Sequence, residues 1–379
     1  MSARTSSGPG IATRVFGSQW FVSVLAVLIA FAIGAILIAL SGASVVDAYY
    51  AMFRGSIVDP NAANAVRMIK PLTDSLFYSI PLIISGLGLA LGFRAGLFNI
   101  GGKGQIIVGA LAAVWVGFAV SLPPVVHTLV ALLVAIVAGG LYGGIAGVLK
   151  AKTGANEVIV TIMLNAIATL GLGYTLAQKA WQVPGTNQPV TPKVAESAAL
   201  ARLLPAPFKL HVGFLVALVA LVAFWWLIER STLGFQIRAV GANAAAARTA
   251  GISVERITAI TMVLSGAFLG LAGANEALGT IGYVSRDVAG SIGFDAITVA
   301  LLGRNKTWGT FGAGLLFGAF KAGGYTMQAK GVPIDMILIL QSVIVLLIAA
   351  PALVRWLFRL PDVRAFAANT RKGNADEHK

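Results

Sequence analysis

Residues 233–256 read LGFQIRAVGANAAAARTAGISVER, and they separate two apolar runs, Val212–Ile228 and Ile257–Gly279. At 1.5 Å of rise per helical residue, each run is close to the roughly 30 Å thickness of a bilayer core. The chain therefore crosses a membrane, turns through a polar stretch, and crosses again. Arg230, Arg238, Arg248 and Arg256 fall in or beside that stretch, with Glu229 and Glu255 at its edges. Inside it, Asn243 suits an N-cap, four alanines favour helix, Arg248 sits in the last turn, and Gly251 suits the position after the C-cap. Ser253 caps the next helix, with Glu255 in its first turn. The expectation is one short helix of about two turns between two spans, docked on something because so short a helix is marginal alone. An ordinary helical inter-span loop fits the same residues.

The rest of the chain has the same character. Of 379 residues, 58% are hydrophobic and 11% charged, and the mean hydropathy is +0.86. Repeated apolar runs of about 20 residues place it among multi-span membrane proteins. There are no cysteines, which excludes disulfides, thiolate metal sites and cysteine nucleophiles. His127, His211 and His378 are far apart in sequence, so a histidine metal cluster is not expected. The net charge of +14 would suggest nucleic acid in a soluble protein. Here it reads instead as loop charge flanking spans in contact with membrane lipids.

In chain order, residues 1–19 form a polar cytoplasmic tail, and Trp20–Leu40 is a first, uncleaved span. Leu76–Phe93, with Pro81 inside it, is the second. AGLFNIGGKGQ (Ala95–Gln105) then leads into Ile106–Val120. Thr128–Leu149 and Val158–Ala177 follow. Residues 178–211 form a long outer loop with five prolines. After the sixth and seventh spans, already described, Phe294–Gly303 is apolar but only about half a bilayer long. Gly309–Tyr325 and Pro333–Trp356 complete the membrane domain, residues 20–359, and residues 360–379 form a second cytoplasmic tail. The expected fold is thus an all-α polytopic membrane protein of nine full spans and a half-helix. With the N-terminus inside, 18 of the 28 Lys and Arg residues fall on the cytoplasmic side. That bias favours N-in and C-in, with residues 233–256 in the cytoplasm.

Chemistry is sparse. GGKGQ resembles part of a P-loop, but Leu97 stands where the first glycine is required and Gly104 where Ser or Thr must follow the lysine. No nucleophile elbow, zinc motif or carboxylate pair is present, so an enzyme is not expected. Polar residues in or beside the spans are the alternative, since such groups are costly in lipid. In AGLFNIGGKGQ the glycines break the helix, so Asn99 and Gln105 could meet a polar solute; a plain turn fits equally well. Thr161 and Asn165 share a helix face behind Asn156 and Glu157. Asn275 and Glu276 end the seventh span, and Asp295 opens the half-helix, where each acid could bind a ribose hydroxyl or an ion, or sit at the water interface. Phe98 and other aromatics could stack on a base or simply pack. GANEVIVTI (Gly154–Ile162) and GANEALGTI (Gly273–Ile281) match at six of nine positions. An ancestral repeat and coincidence both account for that.

Taken together, GLFNIGGKGQIIVGA, NEVIVTIMLN, GFQIRAVGANAAAARTAGI and FDAITVALLG resemble the permease subunits of bacterial ABC importers, in the branch of the ribose and branched-chain amino-acid permeases. The first two motifs are most similar to the nucleoside-uptake members, whose periplasmic partner is a basic membrane lipoprotein. The resemblance spans about Leu76–Pro351. It implies a multi-pass subunit of the inner membrane that hydrolyses nothing and holds no cofactor, ATP being bound by a separate cytoplasmic ATPase. It also implies a second, related permease subunit, a periplasmic solute-binding lipoprotein and a nucleoside as small-molecule substrate, with no nucleic-acid partner. The family's coupling helix maps onto Gly241–Gly251, which makes Gly241, Asn243, Arg248, Gly251 and Glu255 the expected ATPase-facing residues. Phe98, Asn99, Gln105, Thr161, Asn165, Asn275, Glu276 and Asp295 are the expected pathway residues. Residues 303–309 lack the proline that the family often carries in that turn. A monosaccharide such as ribose, or an ion-coupled transporter using Glu276 or Asp295, are the alternatives.

Overall fold

The computed structural model describes residues 19–333 and, beyond them, positions 336, 338, 339, 342, 343, 346 and 347. Its helices are α1 (Gln19–Leu40), α2 (Val45–Ser56), α3 (Ala65–Arg94), α4 (Gly102–Ala119), α5 (Val126–Thr153), α6 (Glu157–Ala177), α7 (Gly213–Arg230), α8 (Thr232–Ala242), α9 (Ala244–Thr249), α10 (Val254–Asn275), α11 (Ile292–Leu302) and α12 (Thr307–Gln328). A π-helical turn, Glu276–Thr280, extends α10. Among the described residues there is no strand, only an isolated bridge between Arg202 and His211.

Six of these helices are long and apolar enough to cross a membrane: α3, α4, α5, α6, α7 and α10 with its π-turn. They coincide with the second to seventh spans expected from sequence. The eighth expected span, α12, is long enough at 22 residues but is not among the six. Its glycines and Lys321 dilute its apolar character. In α1 the apolar stretch is Val27–Leu40. The ninth expected span lies outside the described residues apart from isolated positions. The expected half-helix is α11, 11 residues long.

The chain separates into two units, one of Tyr50–Thr326 and one of Met1–Tyr49 with Met327–Lys379. In the second unit, the Tyr49 hydroxyl donates to the Phe31 carbonyl at 2.5 Å, tying the start of α2 to α1. The first unit holds the main core, in which α10 packs between α4 and α5. Small residues make that approach possible. A Cβ on Gly270 would strike the Ala135 carbonyl on α5, and one on Gly109 of α4 would strike Gly270 itself. Close backbone approach of this kind holds helices together in lipid, where apolar burial alone gives little drive.

The loop of residues 178–211 is laid as an ordered cover over one end of the bundle. Ala195 donates to the Gly117 carbonyl in the last turn of α4, Leu200 to Leu278 in the π-turn, and Thr191 exchanges bonds with Val284. The buried ring of His127 at the start of α5 bridges Ser197 in the loop (2.9 Å) and the Val116 carbonyl (3.0 Å). Loop amides that water would otherwise satisfy are therefore paired within the chain.

Candidate functional site

At the opposite end, residues 231–256 are two helices rather than the single one expected. Ser231 caps α8 through its side chain on the Gly234 amide, so helix begins again immediately after α7. Thr232–Ala242, upstream of the one short helix expected, is also helical because Gly234, Ile237 and Val240 bury one face. Asn243 then ends α8 and caps α9, its Oδ1 accepting from Ala245 and Ala246 at 3.0 Å each. Gly251 follows with φ +82°, a left-handed conformation that glycine adopts without strain. Ser253 accepts from the Arg256 amide and starts α10. The ion pair Arg248–Glu255, 2.6 Å, closes the turn. Of α9 only Ala247 is buried, so the rest of this short helix faces outward.

The pair is fastened to the bundle at its α8 end. A Cβ on Gly241 would collide with the Arg94 carbonyl at the end of α3. Glu229 receives Arg94 at 3.2 Å and lies 3.8 Å from Arg238. The longer contact is an ion pair without a hydrogen bond. Arg94 also donates through Nε to the Asn305 carbonyl at 2.8 Å. One carboxylate and one arginine thus join the ends of α3 and α7, helix α8, and the 303–309 turn. That turn closes without a proline: Arg304 and Asn305 both take positive φ, 54° and 55°.

Four expected pathway residues come together at the break before α4. Asn99, 1% exposed, donates to Gln105 Oε1 at 3.0 Å and to Ser265 Oγ at 2.9 Å, while its Oδ1 accepts from the Gly101 amide. Thr161 accepts from the Ile100 amide. Asn165 accepts from the Gly104 amide at 2.7 Å and donates to the Ile100 carbonyl at 2.8 Å. These side chains replace the backbone bonds that the broken helix lost, and they fix the break to α6 and α10. Asn99 and Asn165 each commit both amide atoms to protein partners. Beside this network a groove of about 630 Å³ runs between α6 and α11, lined mainly by the apolar Ile100, Ile162, Leu170 and Phe294 and also by Lys103, Asn165 and Thr169. Phe98 packs against Phe93 with centroids 4.9 Å apart and the rings tilted by 59°.

The remaining candidates lie apart from that network. Asn275 is 1% and Glu276 7% exposed, and Asp295 is half-buried with its carboxylate accepting from Ser291 at 2.6 Å. Sequence reasoning missed Ser265, the Arg94–Glu229–Arg238 junction, Lys321, Tyr78 and Tyr325. Lys321 was the one legible signal, a lone cation in a glycine-rich apolar segment.

A family model for the branched-chain amino acid transport system / permease component matches residues 72–349. The chain belongs to this permease family. It is 40% identical over 349 residues to the guanosine ABC transporter permease protein NupP of Bacillus subtilis, covering 89% of this chain and 95% of that protein. To the nucleoside ABC transporter permease protein NupB of Lactococcus lactis it is 31% identical, covering 93% and 97%. To the glucose ABC transporter permease protein TsgB13 of Haloferax volcanii it is 36% identical, covering 85% of each. No solved structure matches the chain. The permease is a multi-pass membrane protein, and its relatives are transport components rather than enzymes.

Proposed function

We propose that this permease is the membrane subunit of an ATP-driven importer of nucleosides. The observation that carries the reading is the 40% identity to a guanosine permease over nearly the whole of both chains. A second nucleoside relative covers the chain equally well. The glucose relative keeps a hexose as the second reading. The imported solute, bound outside by a lipoprotein, passes along a path completed by a second permease subunit, and a cytoplasmic ATPase supplies the work. Reorientation of the spans around a central path performs the transport step.

The ATPase engages α9 and its flanks: Gly241, Asn243, Arg248, Gly251 and Glu255. Its outward face and its rigid capping support that role. Motion there reaches the bundle through Gly241 on α3 and through Glu229, which links Arg94 and Arg238. The assembled importer in proteoliposomes is expected to take up labelled guanosine or uridine on ATP addition and to leave ribose, glucose and branched-chain amino acids outside. Glucose uptake without nucleoside uptake replaces the substrate and leaves the importer. Reversing Arg248 to Glu places two acids together at the turn, and ATP-driven uptake is expected to fall at least about tenfold or ATPase binding to be lost. Normal uptake by that variant would remove Arg248 from the coupling surface.

A further inference from the structure

Within the unit Tyr50–Thr326, a second polar group of residues gathers around Tyr78 of α3, away from the Asn99–Asn165 network. The rings of Tyr78 and Tyr325 lie 5.4 Å apart at 39°, and Lys321 Nζ is 6.0 Å from the Tyr78 ring centre. Asp74 and Glu276 are the carboxylates within electrostatic reach of Tyr78, and Lys321 is the cation that acts on both Glu276 and Asp295. Tyr325 is 44% exposed, while Tyr78, Lys321 and Asp295 are half-buried, so the group opens outward.

Glu276 is the unusual member. It is 7% exposed and receives one hydrogen bond, from Thr280 at 3.2 Å to Oε1. Among the described residues, no lysine or arginine nitrogen comes within 4.0 Å of it. A buried carboxylate with so little compensation is costly inside a membrane, and a group of that kind points to a functional site. Its surroundings hold further unmet polar atoms. Both amide atoms of Asn275 and Asp74 Oδ1 are buried without a partner. Glu276 also opens the π-turn, an insertion that recurs where helices serve function rather than packing.

Depth agrees with a solute site. Tyr78 stands about 24 Å of helix from Arg94, which marks the coupling end of α3. Glu276 lies about 33 Å along α10 from its start beside α9. Both are therefore on the half of the bundle away from α9, where an incoming solute arrives.

We propose that this patch recognises an uncharged ribonucleoside, with Tyr325 and Tyr78 stacking the base and the second oxygen of Glu276 accepting from the ribose hydroxyls. The inference rests on the nucleoside reading above. Asp74, Glu276 and Asp295 against Lys70, which pairs with Asp74, and Lys321 leave a negative surplus, which admits a neutral nucleoside and repels a nucleotide phosphate. A carboxylate that has a hydroxyl to pair with discriminates strongly against an analogue lacking it.

The test is ATP-driven uptake by the complete importer of guanosine and of 2′,3′-dideoxyguanosine, each saturating the binding protein so that its own preference cancels. The wild type is expected to move guanosine at least about tenfold faster. Glu276→Gln is expected to bring that ratio close to one by slowing guanosine alone. Equal slowing of both solutes by that variant, or no slowing, overturns the inference while leaving nucleoside import intact. A wild type that moves glucose and no nucleoside overturns the nucleoside reading and this inference with it. Should Glu276→Gln fail to assemble, Tyr325→Leu at its exposed position decides. Guanosine uptake is expected to fall several-fold more than uridine uptake, because the larger ring loses more stacking, and an unchanged ratio overturns the stack.

Discussion

The imidazole of His211 packs edge-on to Phe77, accepts from the Gly213 amide at 3.0 Å through Nδ1, and has no partner at Nε2. Burial pushes its pKa down to about 4 from an ordinary 6.5. Above pH 6.5 the ring is neutral folded and unfolded, and its titration adds no penalty. As pH falls below 6.5 the unfolded chain gains a proton that the folded chain refuses, so stability declines until about pH 4. The total is about 3 kcal/mol. The thermal midpoint of the purified permease is expected to fall across that window, and His211→Gln to flatten the part of the slope that His211 supplies; an unaltered slope would contradict the buried neutral ring. Caps were legible at this scale because their chemistry is local: Asn243, Gly251 and Ser253 act within three residues of themselves. Asn99 and Asn165 were legible as costly polar groups. Their partners were not, since Ser265 lies 166 residues from Asn99, and no local pattern records that distance.

Helix α10 is the element on which the core depends. Gly270 lies against α4 on one side and α5 on the other, and the obstacle to a side chain there is backbone rather than a movable rotamer. Gly270→Val is expected to cost about 3 kcal/mol and to lower the unfolding midpoint in detergent. Gly312→Ala, where a Cβ meets open space, is expected to be neutral or slightly stabilising. Equal effects of the two would argue against close packing at Gly270. The two GANE segments make the same point about context. Gly154 ends α5 with φ +71° and Asn156 caps α6, whereas Gly273 lies mid-helix against the Ile106 carbonyl and Glu276 opens the π-turn. Identical residues follow different backbone paths because their tertiary neighbours differ.

For the whole molecule, the absence of cysteines makes orientation directly measurable. Ala245→Cys in α9 and Thr186→Cys in the 178–211 loop both sit at exposed positions. With the N-terminus inside, a membrane-impermeant maleimide is expected to label Cys at 186 in intact cells and Cys at 245 only in inverted vesicles. The reverse pattern would invert the topology and move the ATPase surface away from α9. The charge bias that motivates this expectation is a global count, insensitive to how any one loop folds.

The sequence by itself determined that this is an all-helical, multi-span membrane protein, because apolar length is additive along the chain and needs no partners, and its motifs resembled the permease family. It determined the capped α9 as well, because caps and a left-handed glycine are local, and it marked Glu276 and Asp295 as costly groups. Tertiary structure alone decided that α8 is helical, that Asn99, Thr161 and Asn165 bind the chain's own broken helix, and that Glu276 shares its surroundings with Tyr78, Tyr325 and Lys321. Those outcomes depend on residues from α3, α6, α10 and α12 meeting in space. Arg94 fastens residues 233–256 to the bundle through Glu229, a contact across 135 residues that only folding brings together.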